Sequence, residues 1–262
     1  MTQYNRHKKA VEVFHNITSN PESYLIIHYS CESFVDKEDG RTPRITTIAV
    51  RYFESSQTKT FSIHEIAEQK NIAINEIEEN YDFLEFEMLS QYFEFVQKHE
   101  RYKWIHWNMR DSNYGFYAIE NRYKVLGGEP IIISDDKKID LARTLVNCYG
   151  RGYIDNPRME KLVDKNHMTK LGFLTGKEEA EAFENKQYIR LRNSTLRKVD
   201  LFYSIVVSAS EGKLKTNAKL KEIYGISPQG IYEALKDRWW FNLIIFFIGL
   251  FIGSLFSEYI KV

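Results

Sequence analysis

The chain has 262 residues, 43% hydrophobic and 27% charged, enough apolar material for a buried core and too much for a disordered chain. Lysine plus arginine and aspartate plus glutamate both number 36, so bulk charge does not suit it to coat duplex nucleic acid, although a local basic groove stays open. Two cysteines, Cys31 and Cys148, exclude a disulfide framework and a zinc cluster, and they read as thiols in a reducing compartment.

Ala10, Val11, Val13 and Phe14 give Tyr4–Ile17 the apolar side of a short amphipathic helix. Pro21 ends it, and Tyr24–Ser30 then reads as a buried central strand that leaves the sheet at Ser30, Cys31 and Glu32. Val35–Pro43 is a polar loop. Arg44–Phe53, rich in β-branched residues, is a second strand, and Lys59–Ile63 a third, so the first three strands form a meander. Glu76–His99 carries Ile77, Tyr81, Leu84, Met88, Tyr92, Phe95 and Val96 at helical spacing. Tyr102–Trp107 is a fourth strand, Tyr114–Leu126 a helix closed by Gly127 and Gly128, and Pro130–Ile133 a fifth strand. Helices follow over Leu141–Asn147, Arg158–Lys165, Glu178–Asn185 and Thr195–Ser208. The reading is an α/β domain over residues 1–210, a mixed five-stranded sheet flanked by helices.

The remainder differs in character. Residues 211–237 are a lysine-rich helical connector, and Trp239–Ser257 then runs without a charge. At 1.5 Å per residue that run just covers a bilayer core of roughly 30 Å, with Trp239, Trp240 and Tyr259 placed for the interface. The expectation is one transmembrane helix over 238–260, a C-terminal anchor. Cations concentrated before it put the large domain in the cytoplasm, by the positive-inside rule. Gly249 and Gly253, four apart, would let two such helices approach closely as a homo-oligomer, although glycine is common in membrane helices.

The element order, with Glu32 ending the first strand, His106 and Asp111 after the fourth and Asp200 on the last helix, resembles the ribonuclease H-like fold of the DEDD-type 3′–5′ exonucleases. The resemblance spans about Pro21–Ala209. In that family an Asp-x-Glu motif, a second Asp and a late His or Tyr with a final Asp hold two Mg²⁺ or Mn²⁺ ions. The metals activate water and stabilise the leaving 3′ oxygen. The resemblance therefore implies Glu32, Asp111 and Asp200 as catalytic and metal-binding residues. It implies substrate contacts from Ser30, His106, Arg192 and Arg197, and a nucleic acid end or nucleotide as the ligand.

The motifs depart from the family in three places. Ser30 stands where the first aspartate belongs, Asn108 is displaced by one, and Thr195 and Leu196 occupy the positions of the general base. The expected protein is thus an anchored exonuclease-like domain with an eroded metal site, by analogy suited to stress or phage defence. An active metal-dependent nuclease and a non-enzymatic adaptor that recruits a protein partner are the alternatives.

Plainer roles exist for each residue. Glu32 also reads as a solvated turn residue, and Asp111 as an acid satisfying free N–H groups at a helix start. His28 and His106 read as satisfied core histidines, Cys31 as a small buried residue, and Trp104 and Trp107 as packing. Arg190, Arg192, Arg197 and Lys198 read as a solvated face. No phosphate loop or dinucleotide fingerprint occurs.

Overall fold

The computed structural model describes residues 1–32, 42–110 and 114–259. Helix α1 (Gln3–Ser19) starts where the Thr2 hydroxyl accepts the Asn5 N–H, and it buries Ala10, Phe14 and Ile17 on one side. The chain then enters β1 (Tyr24–Cys31), in which every residue is buried. Its alternation divides the molecule: Leu25, Ile27, Tyr29 and Cys31 enter one core, and Tyr24 and Ile26 enter the other.

Strands β2 (Ile45–Tyr52) and β3 (Thr58–Ser62) continue antiparallel from β1. Helices α2 (Ile63–Gln69) and α3 (Tyr81–Lys98) then cross over to β4 (Lys103–His106), parallel to β1. Helix α4 (Phe116–Val125) leads to β5 (Lys138–Asp140), parallel to β4. The result is a mixed five-stranded sheet in the order β3-β2-β1-β4-β5. One face is covered by α2, α3 and α4. The other packs against α1, α5 (Leu141–Tyr149), α6 (Arg158–Lys165) and most of α8 (Tyr188–Ser210), which follows α7 (Gly176–Glu184).

Three boundaries differ from the sequence reading by five residues or more. Pro130–Ile133 is not a strand, and the fifth strand is Lys138–Asp140. Pro130 has no N–H to give a ladder; Ile131 and Ile133 pack on the α3–α4 core, while Ile132 faces outward. Helix α3 begins at Tyr81 because a 3-10 turn over Ile74–Glu76 precedes it. Helix α8 begins at Tyr188, seven residues before Thr195, and this places Leu191, Ser194, Thr195 and Lys198 on its buried side.

Residues 211–237 include α9 (Leu220–Tyr224) and α10 (Pro228–Leu235), both packed against α1. The Gln3 side-chain amide donates to the carbonyls of Asn147 and Ile223, tying α1, α5 and α9 together.

The C-terminal segment overturns an expectation. The chain forms a helix there, α11 (Trp239–Tyr259), but among the described residues no helix is long and apolar enough to cross a membrane. Among its described side chains, Trp239, Trp240, Asn242, Gly249, Gly253 and Ser254 lower the apolar content of the segment. The transmembrane helix expected over 238–260 does not hold, and neither does the single-pass membrane location with its cytoplasmic orientation. Side chains added at Gly249 or Gly253 would meet nothing within 4 Å, so no packing partner occupies that side of α11 among the described residues.

Candidate functional site at the head of the central strand

Four elements meet where β1 ends. The strand's alternation turns His28 and Ser30 toward α8. The chain leaving β4 supplies Trp107 and Asn108. Helix α8 presents Thr195 and Lys198, while α7 contributes its first turns. That helix is started by a capping box: the Thr175 hydroxyl accepts the Glu178 N–H, and the Glu178 carboxylate accepts the Thr175 N–H. One turn later, Glu179 points into the molecule and is 1% exposed.

Buried Glu179 is paired with Lys198, whose ammonium lies 2.6 Å from Oε1. The same oxygen accepts the Ser194 hydroxyl at 2.8 Å and lies 3.3 Å from the Ser30 hydroxyl. Ser30 and Thr195 join oxygen to oxygen at 2.7 Å, and Thr195 also donates to the Leu191 carbonyl. Three donors thus crowd Oε1. Oε2 is buried and has no hydrogen-bond partner among the described residues. The same is true of His28 Nε2, whose other ring nitrogen is 3.4 Å from the Tyr114 hydroxyl.

His28, Tyr114, Glu179 and Lys198 line a cavity of about 190 Å³ with Trp107 and Phe173 on its apolar wall. Lys198 lies 5.4 Å from the centre of the Phe173 ring, a distance at which the ring face attracts a cation. Burial, reinforced by the Lys198 charge, holds His28 well below the ordinary histidine value, so its imidazole is neutral near pH 7. Burial likewise lifts the Tyr114 hydroxyl well above the usual phenol range. The cavity therefore offers one fixed ammonium, one carboxylate oxygen in need of a donor, and one imidazole nitrogen that donates or accepts according to tautomer.

Of the residues expected from sequence, Ser30 belongs to this cluster, and Thr195 holds it. The Glu32 carboxylate accepts the Arg44 N–H across the hairpin at 3.4 Å. Asp111 lies outside the described residues. His106 is buried beside the parallel strand β5: its Nδ1 accepts the Met109 N–H and its ring meets Phe116 edge-on. Burial, with Arg110 and Lys138 nearby, lowers His106 to about 4 against the pull of Asp140. Asp200 is half exposed on α8, paired with Arg51 of β2 at 2.8 Å. Arg192 pairs with Glu65 of α2, and Arg197 donates to the Leu171 carbonyl. Neither arginine lines the cavity.

Among the described residues, no group of three or more His, Cys, Asp or Glu side chains comes together to hold a metal ion. At the cavity, Glu179 is already neutralised by Lys198, the Ser30 hydroxyl is held by Thr195, and Glu160 stands half-buried on α6. That donor set does not fit a pair of Mg²⁺ or Mn²⁺ ions.

Sequence reasoning missed Glu179 and misplaced Lys198. A signal for the lysine existed: Leu191, Ser194, Thr195, Lys198 and Phe202 recur at three- and four-residue spacing, the stripe that enters the core. Glu179 carries no such mark, because its neighbours Glu178 and Glu181 are also acidic. No family model, curated protein or solved structure matches this chain.

Proposed function

We propose that the chain is a ribonuclease H-like domain that binds a nucleic acid end or a nucleotide at the head of β1 and does not cut it. The observation that carries this reading is the buried Lys198–Glu179 pair lodged against Ser30. In the exonucleases that the sequence resembles, carboxylates at the head of the first strand hold cations. Here a lysine ammonium, paired with Glu179, occupies that place and a serine replaces the aspartate. The sheet order, with three antiparallel strands followed by two parallel ones, supports the same inheritance.

The chemistry of the cavity selects the ligand. Lys198 attracts a phosphate oxygen, and the unpartnered Glu179 Oε2 accepts a hydroxyl such as a terminal sugar presents. At about 190 Å³ the cavity is smaller than the roughly 300–1,000 Å³ of a drug-sized site, which suits one terminal sugar or phosphate. Trp107, stacked on Phe202 with centroids 5.6 Å apart, supplies aromatic surface at its mouth.

The test uses the full chain with 5′-fluorescein single-stranded DNA and RNA octamers that keep a free 3′ hydroxyl. Fluorescence anisotropy is expected to show binding, and gels after incubation with Mn²⁺ are expected to show no shortening. Metal-dependent shortening that Glu32→Gln abolishes would establish a working nuclease instead. Absence of binding to either octamer would refute the reading.

A further inference from the structure

Beside the head of β1, sharing Trp107 and Asn108 with it, lies a second cleft of about 640 Å³ between α5 and α6. Four arginines line it: Arg110 from the chain after β4, Arg143 on α5, Arg151 in the turn after α5, and Arg158 opening α6. No aspartate or glutamate is among the described residues on its wall. Arg110 is balanced by Asp140, but Arg143, Arg151 and Arg158 have no carboxylate partner among the described residues. Arg158 reaches back to the Arg151 carbonyl, and its Nε is buried with no hydrogen-bond partner.

That arrangement is unusual in a chain whose charges balance at 36 and 36. Like charges held together repel, so gathering three unpaired guanidinium groups around one space costs stability unless an anion enters. The kind of anion follows from the donors. All four are planar guanidinium forks, which match the oxygens of phosphate two at a time, and no lysine joins them. With Arg110 balanced by Asp140, the three unpaired guanidinium groups carry more positive charge than one carboxylate or one phosphate dianion neutralises.

We propose that this cleft binds two or more adjacent phosphates, carried either by the backbone of a single strand or by a free polyphosphate group such as that of a nucleotide. The inference stands on the arginines and borrows from the head-of-strand reading only the choice of an oligonucleotide as one probe.

The experiment measures affinity of the full chain for 5′-fluorescein dT8 by anisotropy and for inorganic tripolyphosphate by calorimetry. It is repeated with Arg143→Gln/Arg151→Gln, two exposed positions, and thermal melting is expected to show an unchanged fold. The double variant is expected to lose at least tenfold in affinity for whichever probe binds. For dT8 the salt dependence should also become shallower, its log–log slope falling by about 0.7 for each phosphate that is no longer neutralised. Tripolyphosphate that displaces dT8 identifies a free polyphosphate as the ligand; dT8 that resists displacement identifies a strand backbone. An unchanged affinity in the variant, or displacement by poly-L-glutamate as effective as by tripolyphosphate, overturns the proposal, as does failure of both probes to bind. Lys198→Met/Glu179→Leu separates the two sites: if it alone weakens dT8 the cleft fails and the head of β1 stands, and if only the arginine variant does so the reverse holds.

Discussion

Among the described residues two ion pairs lie buried, and they are completed differently. On the α3–α4 side, Glu85 and Arg122 form a closed set. One Glu85 oxygen accepts the Ile45 N–H at 2.6 Å, and the other accepts Arg122 Nε and Nη2 at 2.9 and 2.6 Å. Arg122 also reaches Asp82, at 2.7 Å, and the Thr42 hydroxyl. On the α7–α8 side, Glu179 has one oxygen crowded by Lys198, Ser194 and Ser30 and the other without a partner, next to a cavity and a neutral histidine. Burial is the same in both; satisfaction is not. A buried polar group without a partner costs on the order of 1–3 kcal/mol. The closed pair explains how α3, α4 and the start of β2 are fastened. On the proposed reading, a ligand completes the open pair.

The largest effect is expected at the closed pair. Arg122→Met strands Glu85 as an unpaired buried carboxylate, and urea denaturation should show a loss of about 3–5 kcal/mol. A loss under about 1 kcal/mol would mean that Glu85 finds other partners or water, and that this pair is not closed.

Under titration the two regions respond to acid with opposite sign. Burial raises Glu85 from 4.5 to about 6. The folded chain therefore holds more protons there than the unfolded chain between pH 4.5 and 6, and Glu85's contribution weakens by about 2 kcal/mol as pH rises through that window. His28 is lowered below 6.5, so the unfolded chain takes up more protons. Its contribution is present above pH 6.5 and is lost as pH falls. Stability differences between the parent chain and Glu85→Gln, and between the parent chain and His28→Asn, should slope in opposite directions from pH 7 to pH 4.5. Slopes of one sign would contradict the assignment.

A smaller effect is expected from replacing the open pair whole. Lys198→Met/Glu179→Leu exchanges two buried charges for apolar groups of similar size, and such exchanges are often neutral or stabilising. Stability should stay within about 1 kcal/mol of the parent chain, measured in urea. Asp200→Asn should do least. The Arg51–Asp200 pair is 42% exposed at its acidic end, and the loss should be a few tenths of a kcal/mol with no change in oligonucleotide affinity. A large loss of affinity would return Asp200 to the site that the sequence resemblance implied.

The strands of the meander were legible because β-branched and aromatic runs over Tyr24–Ser30 and Arg44–Phe53 leave few other structures open. The fifth strand was not. Lys138–Asp140 is three residues long and recognisable only by its pairing with β4, whereas Pro130–Ile133 is apolar for a different reason, its packing on α3 and α4. The same limit governs the site. Ser30 could be singled out because a strand end is a local feature. Lys198 sits among Arg190, Arg192 and Arg197, and its burial is decided by where α8 crosses β1, a tertiary fact. Glu179 becomes visible only once that lysine has been placed. A charge on an amphipathic helix reads as solvated until its partner is known.

The most direct measurement is the affinity of Lys198→Met/Glu179→Leu for the 5′-fluorescein octamer, taken on folded protein at fixed salt. A ligand site at the head of β1 predicts at least a tenfold loss, about 1.4 kcal/mol, with the melting temperature held. An octamer bound as tightly as by the parent chain would make the Lys198–Glu179 pair a structural one, like Arg122 and Glu85.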